Sequence, residues 1–150
     1  MKTIAIFALL LFSSACIAQE ATEFVNTEIN EFSTWTTYFE NDQVKIEFKR
    51  TDCDLNSGLD KQYLYLRYSN KTQTAITMNW HIDMYYNDDC RTCDYDEYDW
   101  SYSLAPGEVA EGTCEMGADR KLQLFAKFID ANYTNDALLT GFKFSNLTIE

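Results

Sequence analysis

The sequence predicts an all-β fold: one two-layered β-sandwich of seven or eight mostly antiparallel strands. Three observations carry this prediction. Apolar and polar side chains alternate with a period of two in successive runs, which turns one face of each run to a core and the other to water. Turn-forming residues separate the runs at short intervals. No stretch repeats its apolar residues at helical spacing, and about 130 residues suit a single two-layer core.

The chain divides into residues 1–18, a lead-in over 19–33, and the sandwich over 34–150. Met1-Lys2 is a basic start, Ile4 to Phe12 an apolar core of nine residues, and Ser13-Ser14-Ala15-Cys16-Ile17-Ala18 a small-residue exit. This pattern predicts a secretory signal peptide, too short to span a bilayer of roughly 30 Å. Cleavage after Ala18 is one route. Lipidation of Cys16 is the other, and it alone would tie the protein to a membrane; Ser13 stands where bacterial lipoprotein signals usually carry Leu, Val or Ile. Either route predicts an exported protein, whether periplasmic, cell-surface or secreted.

Residues 19–33 are polar and acidic, with Phe24, Val25, Ile29 and Phe32 scattered among them. They read as an irregular first strand or a short helical turn. Residues 35–40 are aromatic and β-branched, which suits a strand. Glu40-Asn41-Asp42-Gln43 turns the chain into a second run with Val44, Ile46 and Phe48 on one face and Lys45, Glu47 and Lys49 on the other. Together these predict a hairpin. Residues 51–61 read as a loop. In residues 62–69, Leu64, Leu66 and Tyr68 oppose Tyr63, Tyr65 and Arg67. Residues 74–86 form the longest run, with Ile76, Met78, Trp80, Ile82 and Met84 inward and Thr77, Asn79, His81 and Asp83 outward. After a cysteine-bearing loop, residues 98–104 alternate again. Pro106-Gly107 then fits the centre of a type II turn, where glycine accepts a positive φ. Short strands follow over 109–114 and 121–129, the latter with Leu122, Leu124, Ala126 and Phe128 on one face. A last strand runs over 138–149, bent at Gly141.

Composition narrows the function. The formal net charge is −12, and loss of residues 1–18 removes only the charge of Lys2. Such a surface repels nucleic-acid phosphates and anionic membranes, and favours cations or basic partners.

Four cysteines lie beyond the leader: Cys53, Cys90, Cys93 and Cys114. An even set in an exported chain predicts disulfides. The simplest arrangement closes Cys90–Cys93 locally and joins Cys53 to Cys114; crossed pairings stay open. A zinc site using all four sulfurs is an alternative. A redox dithiol at Cys90-Arg91-Thr92-Cys93 is another, disfavoured because the surrounding acids raise a thiol's pKa and no helix start lowers it.

The segment from Asp83 to Asp99 holds seven carboxylates, Asp83, Asp88, Asp89, Asp94, Asp96, Glu97 and Asp99, against one base, Arg91. Calcium takes six to eight oxygen ligands, so Asp88, Asp89, Asp94 and Asp96 are candidate ligands. A second candidate set is Asp52, Asp54, Asn56 and Asp60, whose start resembles an EF-hand loop. There, however, glycine falls one position late and Tyr63 stands where a bidentate Glu belongs. The expectation is no obligatory cofactor, with calcium a candidate ion at these loops.

Tyr95, Tyr98 and Trp100, with Tyr63 and Tyr65, are candidates for an exposed platform stacking a sugar or a peptide, because flat rings with polar tips serve recognition. The only histidine, His81, sits on the outer face where it can touch Asp83. No Gly-x-Ser-x-Gly setting accompanies it, and a lone histidine cannot build a histidine metal triad. The chain therefore reads as non-enzymatic. Asn70, Asn132 and Asn146 head glycosylation sequons, which count only in a eukaryotic source.

Four features, namely Ile17-Ala18-Gln19, Asp83-Met84-Tyr85-Tyr86, the Cys90-x-x-Cys93 loop and Glu111-Gly112-Thr113-Cys114, resemble those of small exported proteins from Bacteroidetes-type bacteria. The resemblance implies an immunoglobulin-like sandwich and transfers no activity to any residue. The sequence as a whole predicts an extracytoplasmic binding or structural module. Its acidic, tyrosine-rich cysteine loop would recognise a protein or glycan, with a calcium-binding module as the alternative and a glycoside-directed hydrolase a distant third.

Overall fold

The computed structural model describes residues 22–27, 32–53, 60–129 and 137–150. The leader with Cys16, the two calcium candidates Asp54 and Asn56, and the sequon at Asn132 lie outside them.

The described residues form ten strands: β1 (Val25–Asn26), β2 (Thr36–Glu40), β3 (Val44–Cys53), β4 (Lys61–Asn70), β5 (Ile76–Tyr86), β6 (Asp89–Cys90), β7 (Asp99–Leu104), β8 (Val109–Glu111), β9 (Gln123–Phe128) and β10 (Leu139–Ile149). The all-β expectation holds, and the count of seven or eight is corrected to ten. The additional strands are short. β1 turns part of the lead-in into a sheet edge, and β6 lies inside the segment read as a loop.

Two antiparallel sheets result. In one the order is β1-β10-β5-β6, with β7 also pairing β5; in the other it is β2-β3-β4-β8, with β9 also pairing β4. The long strands β5 and β4 each carry three partners because two short strands share one of their edges. The alternation read from the sequence decides the facing. Val44, Ile46, Phe48, Leu64, Leu66 and Tyr68 from one sheet meet Ile76, Met78, Trp80, Ile82, Phe142 and Phe144 from the other in one buried cluster. Fully burying such side chains stabilises by roughly 1.5–3 kcal/mol each. The Tyr68 hydroxyl, wholly enclosed, donates to the Lys121 carbonyl at 2.7 Å.

The turns follow their chemistry. Asn41 Oδ1 accepts the Gln43 and Val44 amides at 2.8 and 2.9 Å, closing the β2–β3 hairpin. Gly107 has φ +68°, and the Glu108 amide donates to the Ala105 carbonyl at 3.0 Å across the predicted Pro-Gly turn. Asn70 is 4 % exposed, and its side-chain amide donates to the carbonyls of Thr74, Leu104 and Ala105. That amide is already used structurally, so the Asn70 sequon is no accessible acceptor. Asn146 is exposed at a bulge in β10, with φ +57°.

On the outer face of the second sheet Glu47 is buried beneath two cations. Arg67 Nε and Nη2 donate to its Oε2 at 2.9 and 2.7 Å, and Lys45 Nζ lies 2.8 Å from its Oε1. Burial alone would push Glu47 up. The hydrogen bonds and charges of Lys45 and Arg67 outweigh it and hold the carboxyl below its ordinary value.

Candidate functional site

The site grows from the end of β5. Asn87 and Asp88 both have positive φ, +51° and +68°. That pair of conformations defines the tight hairpin turn whose twist matches the strands, and Asn and Asp are the non-glycine residues that tolerate it best. The turn sends the chain back as β6, pairing Cys90 with Tyr85 and Asp89 with Tyr86.

β6 ends after two residues, but contact with β5 continues through a side chain. The Arg91 amide donates to the Met84 carbonyl at 2.9 Å. Thr92 then turns inward and is buried; its hydroxyl donates to the Ile82 carbonyl at 2.6 Å and accepts the Met84 amide at 2.8 Å. One hydroxyl thus takes the place of a strand neighbour. The Thr92 carbonyl accepts the Tyr95 amide at 3.1 Å, and a 3-10 turn over Asp96–Tyr98 delivers the chain to β7, again on β5.

His81 locks the same loop from the sheet surface. Its Nδ1 lies 2.7 Å from Asp99 Oδ1 and its Nε2 3.0 Å from the Thr92 carbonyl; Asp83 Oδ1 is 3.5 Å from Nε2. The expected His81–Asp83 contact is present. Burial disfavours the charged ring, but the hydrogen bonds to Asp99 and Thr92, reinforced by both carboxylates, raise the pKa above its ordinary value. With acceptors facing both nitrogens, the ring bridges β5, β7 and the loop. Asp83, 8 % exposed, accepts the Ser145 hydroxyl from β10 on its other oxygen.

The four cysteines pair as Cys53–Cys114 and Cys90–Cys93. The crossed pairings and the four-sulfur zinc site are thereby corrected. The Tyr65 hydroxyl lies 2.7 Å from Cys53 Sγ and 2.9 Å from Cys114 Sγ, under the first disulfide. Burial, with a contribution from Tyr63, pushes its pKa up to about 12.

The aromatic platform is corrected in part. Trp100 is 5 % exposed and packs edge-on against Trp80, with centroids 6.1 Å apart. Tyr98 is half-buried against the core, and Tyr65 is 3 % exposed. Tyr95 alone of the three loop aromatics projects, 60 % exposed. β7 explains the difference: Asp99, Ser101 and Ser103 take its wet face, leaving Trp100, Tyr102 and Leu104 inside.

Asp88, Asp89, Asp94, Asp96, Glu97 and Asp99 are all exposed around this loop. Among the described residues the one group of three potential ligands with donor atoms within 4.8 Å of one another is Asp83, Cys90 and Cys93. The candidate calcium ligands Asp88, Asp89, Asp94 and Asp96 form no such group. Asp52 is exposed and accepts the Gln62 side-chain amide at 2.7 Å, and Asp60 is half-buried with φ +44°. A surface groove of about 280 Å³ adjoins the loop, lined in part by Asn79, His81, Asp99, Ser101 and Asn146.

Sequence reasoning found the loop, its cysteines and its acids. It missed Thr92, the residue that bolts the loop down, and only the Asn87-Asp88 pair signalled that the chain turns back there. A scan against protein-family models, a search of curated proteins and a search of solved structures each found no match to this chain.

Proposed function

We propose that this chain is an exported, non-enzymatic binding module that recognises a protein or glycan through the loop between β5 and β7. The observation that carries the reading is the contrast between the two sides of that loop. Its underside is fixed by the buried Thr92, the His81 bridge and the Cys90–Cys93 bond, while Tyr95 and five carboxylates from Asp88 to Glu97 face solvent. A surface ordered before contact loses less conformational freedom on binding. Its charge favours a basic protein segment, and the adjoining groove adds Asn79 and Ser101 as polar partners for a glycan.

Two further readings complete the proposal. The two-sheet antiparallel architecture is compatible with the immunoglobulin-like class and with the resemblance to Bacteroidetes-type exported proteins. No helix among the described residues is long and apolar enough to cross a membrane, and the two disulfides favour an oxidising compartment. Both accord with residues 1–18 acting as a secretory signal, with a lipid on Cys16 as the variant form.

The test is a combined array of glycans and cationic peptides probed with the labelled full domain. Binding should appear on a chemically related subset and fall at least tenfold in Tyr95→Ala and in Asp94→Asn/Asp96→Asn. Binding that is absent, or that is indifferent to all three substitutions, would remove the reading.

A further inference from the structure

The two disulfides serve different purposes. Cys53–Cys114 ties residues 61 apart, with Cys53 wholly buried. Cys90–Cys93 spans three residues, and Cys93 is exposed. The segment it closes is already held by the Arg91–Met84 bond, the Thr92 hydroxyl and His81. Opening it therefore releases no long-range tie, and the backbone contacts that carry the two cysteines remain.

What lies beside those sulfurs is unusual for a surface staple. The buried Asp83 has a carboxylate oxygen within 4.8 Å of both. The Ser145 hydroxyl donates to Asp83 Oδ2 and holds the carboxylate in place, and the His81 ring lies 3.5 Å from its Oδ1. The Cys93 amide donates to Cys90 Sγ at 3.2 Å.

We propose that Cys90, Cys93 and Asp83 constitute a redox-gated zinc site, closed while the disulfide stands and competent for one Zn²⁺ once it is reduced. Two cysteines separated by two residues are the commonest half of a zinc site. Ligand distances of roughly 2.0–2.3 Å place tetrahedral donors about 3.5–3.8 Å apart, so three donors within 4.8 Å need only a small adjustment as the sulfurs separate. Sulfur donors select zinc over calcium, which takes oxygen alone. The exposure of Cys93 leaves a fourth position for solvent.

The chemistry balances with an external dithiol as reductant. Its two sulfurs join as a disulfide; the Cys90–Cys93 bond takes up the two electrons and breaks, and each cysteine sulfur receives one proton. Zinc then displaces both thiol protons to solvent and is held by two thiolates and one carboxylate.

The probe is Co²⁺ added to the full mature protein, before and after mild phosphine reduction that leaves Cys53–Cys114 intact as checked by alkylation mapping. The expected result is one equivalent bound in the reduced form only, with a thiolate-to-cobalt charge-transfer band that Zn²⁺ abolishes by displacement. Cys93→Ser should abolish the band, and Asp83→Asn should weaken binding by about tenfold or more. Should Asp83→Asn fail to fold, Ser145→Ala reads the same carboxylate through its lost support and should weaken binding severalfold. A reduced protein with no such band, equal binding before and after reduction, or affinity unchanged in folded carboxylate-site variants would overturn the proposal.

Discussion

The Thr92 hydroxyl accepts the Met84 amide at 2.8 Å and donates to the Ile82 carbonyl at 2.6 Å, so a side chain continues the ladder where β6 stops. Thr92→Val keeps the shape and removes both bonds, leaving a buried amide and a buried carbonyl unsatisfied. It should destabilise by about 1–3 kcal/mol in urea titrations, whereas Thr92→Ser, which keeps the hydroxyl, should cost less than about 1 kcal/mol. Equal losses would mean that the methyl group, not the hydroxyl, matters.

Why Thr92 escapes a reading of the sequence is physical. Its role depends on the chain returning to β5 after the Asn87-Asp88 turn, and no local pattern around Cys90-Arg91-Thr92-Cys93 announces that return. The long strands were legible because a single burial constraint fixes their period. The faces of Tyr98, Trp100 and Tyr102 were legible too: they share parity with Leu104, which is buried, and opposite parity to the polar Ser101 and Ser103. Reading Tyr98 and Trp100 as part of a wet platform went against the run's own alternation. Tyr65 is a different case. It lies on the outer side of its strand, covered by the Cys53–Cys114 crosslink and the close-packed Gly112 backbone.

Removing each disulfide separately should give unequal effects. In the chain-entropy account, a crosslink between residues 61 apart contributes about 4 kcal/mol, and one closing a four-residue loop about 2 kcal/mol. Cys53→Ala/Cys114→Ala should therefore lower the melting temperature more than Cys90→Ala/Cys93→Ala. The reverse order would show that the small loop carries the fold.

Two glycines should respond differently to a methyl group. At Gly112 a Cβ would sit 2.3 Å from the Leu122 carbonyl oxygen, which is backbone and cannot swing aside. At Gly141 it would meet the Phe24 ring at 2.1 Å, the far end of a side chain that is itself largely exposed. Gly112→Ala should cost about 1–3 kcal/mol and Gly141→Ala less. Chemical denaturation of both variants decides between them.

The acid limb of stability should report Glu47. Burial raises this carboxyl, yet hydrogen bonds from Lys45 and Arg67 hold its folded pKa below the ordinary value. Its contribution is thus fully present above the unfolded-state pKa and is lost as pH falls through the lower, folded-state one. Glu47→Gln should be less stable at neutral pH and show a flatter decline between about pH 5 and pH 3. Parallel declines in the two proteins would mean that other carboxylates set the acid limb.

The central claim is that the acidic loop is a fixed surface, held from beneath before any partner arrives. Native-state hydrogen exchange at the Arg91, Tyr95 and Tyr98 amides tests it most directly, since these donate to Met84, Thr92 and Tyr95 in turn. Protection within about 1–2 kcal/mol of the global unfolding value, falling together in Thr92→Val, is the predicted result. Exchange at rates of an unstructured peptide in the unmodified protein would contradict it.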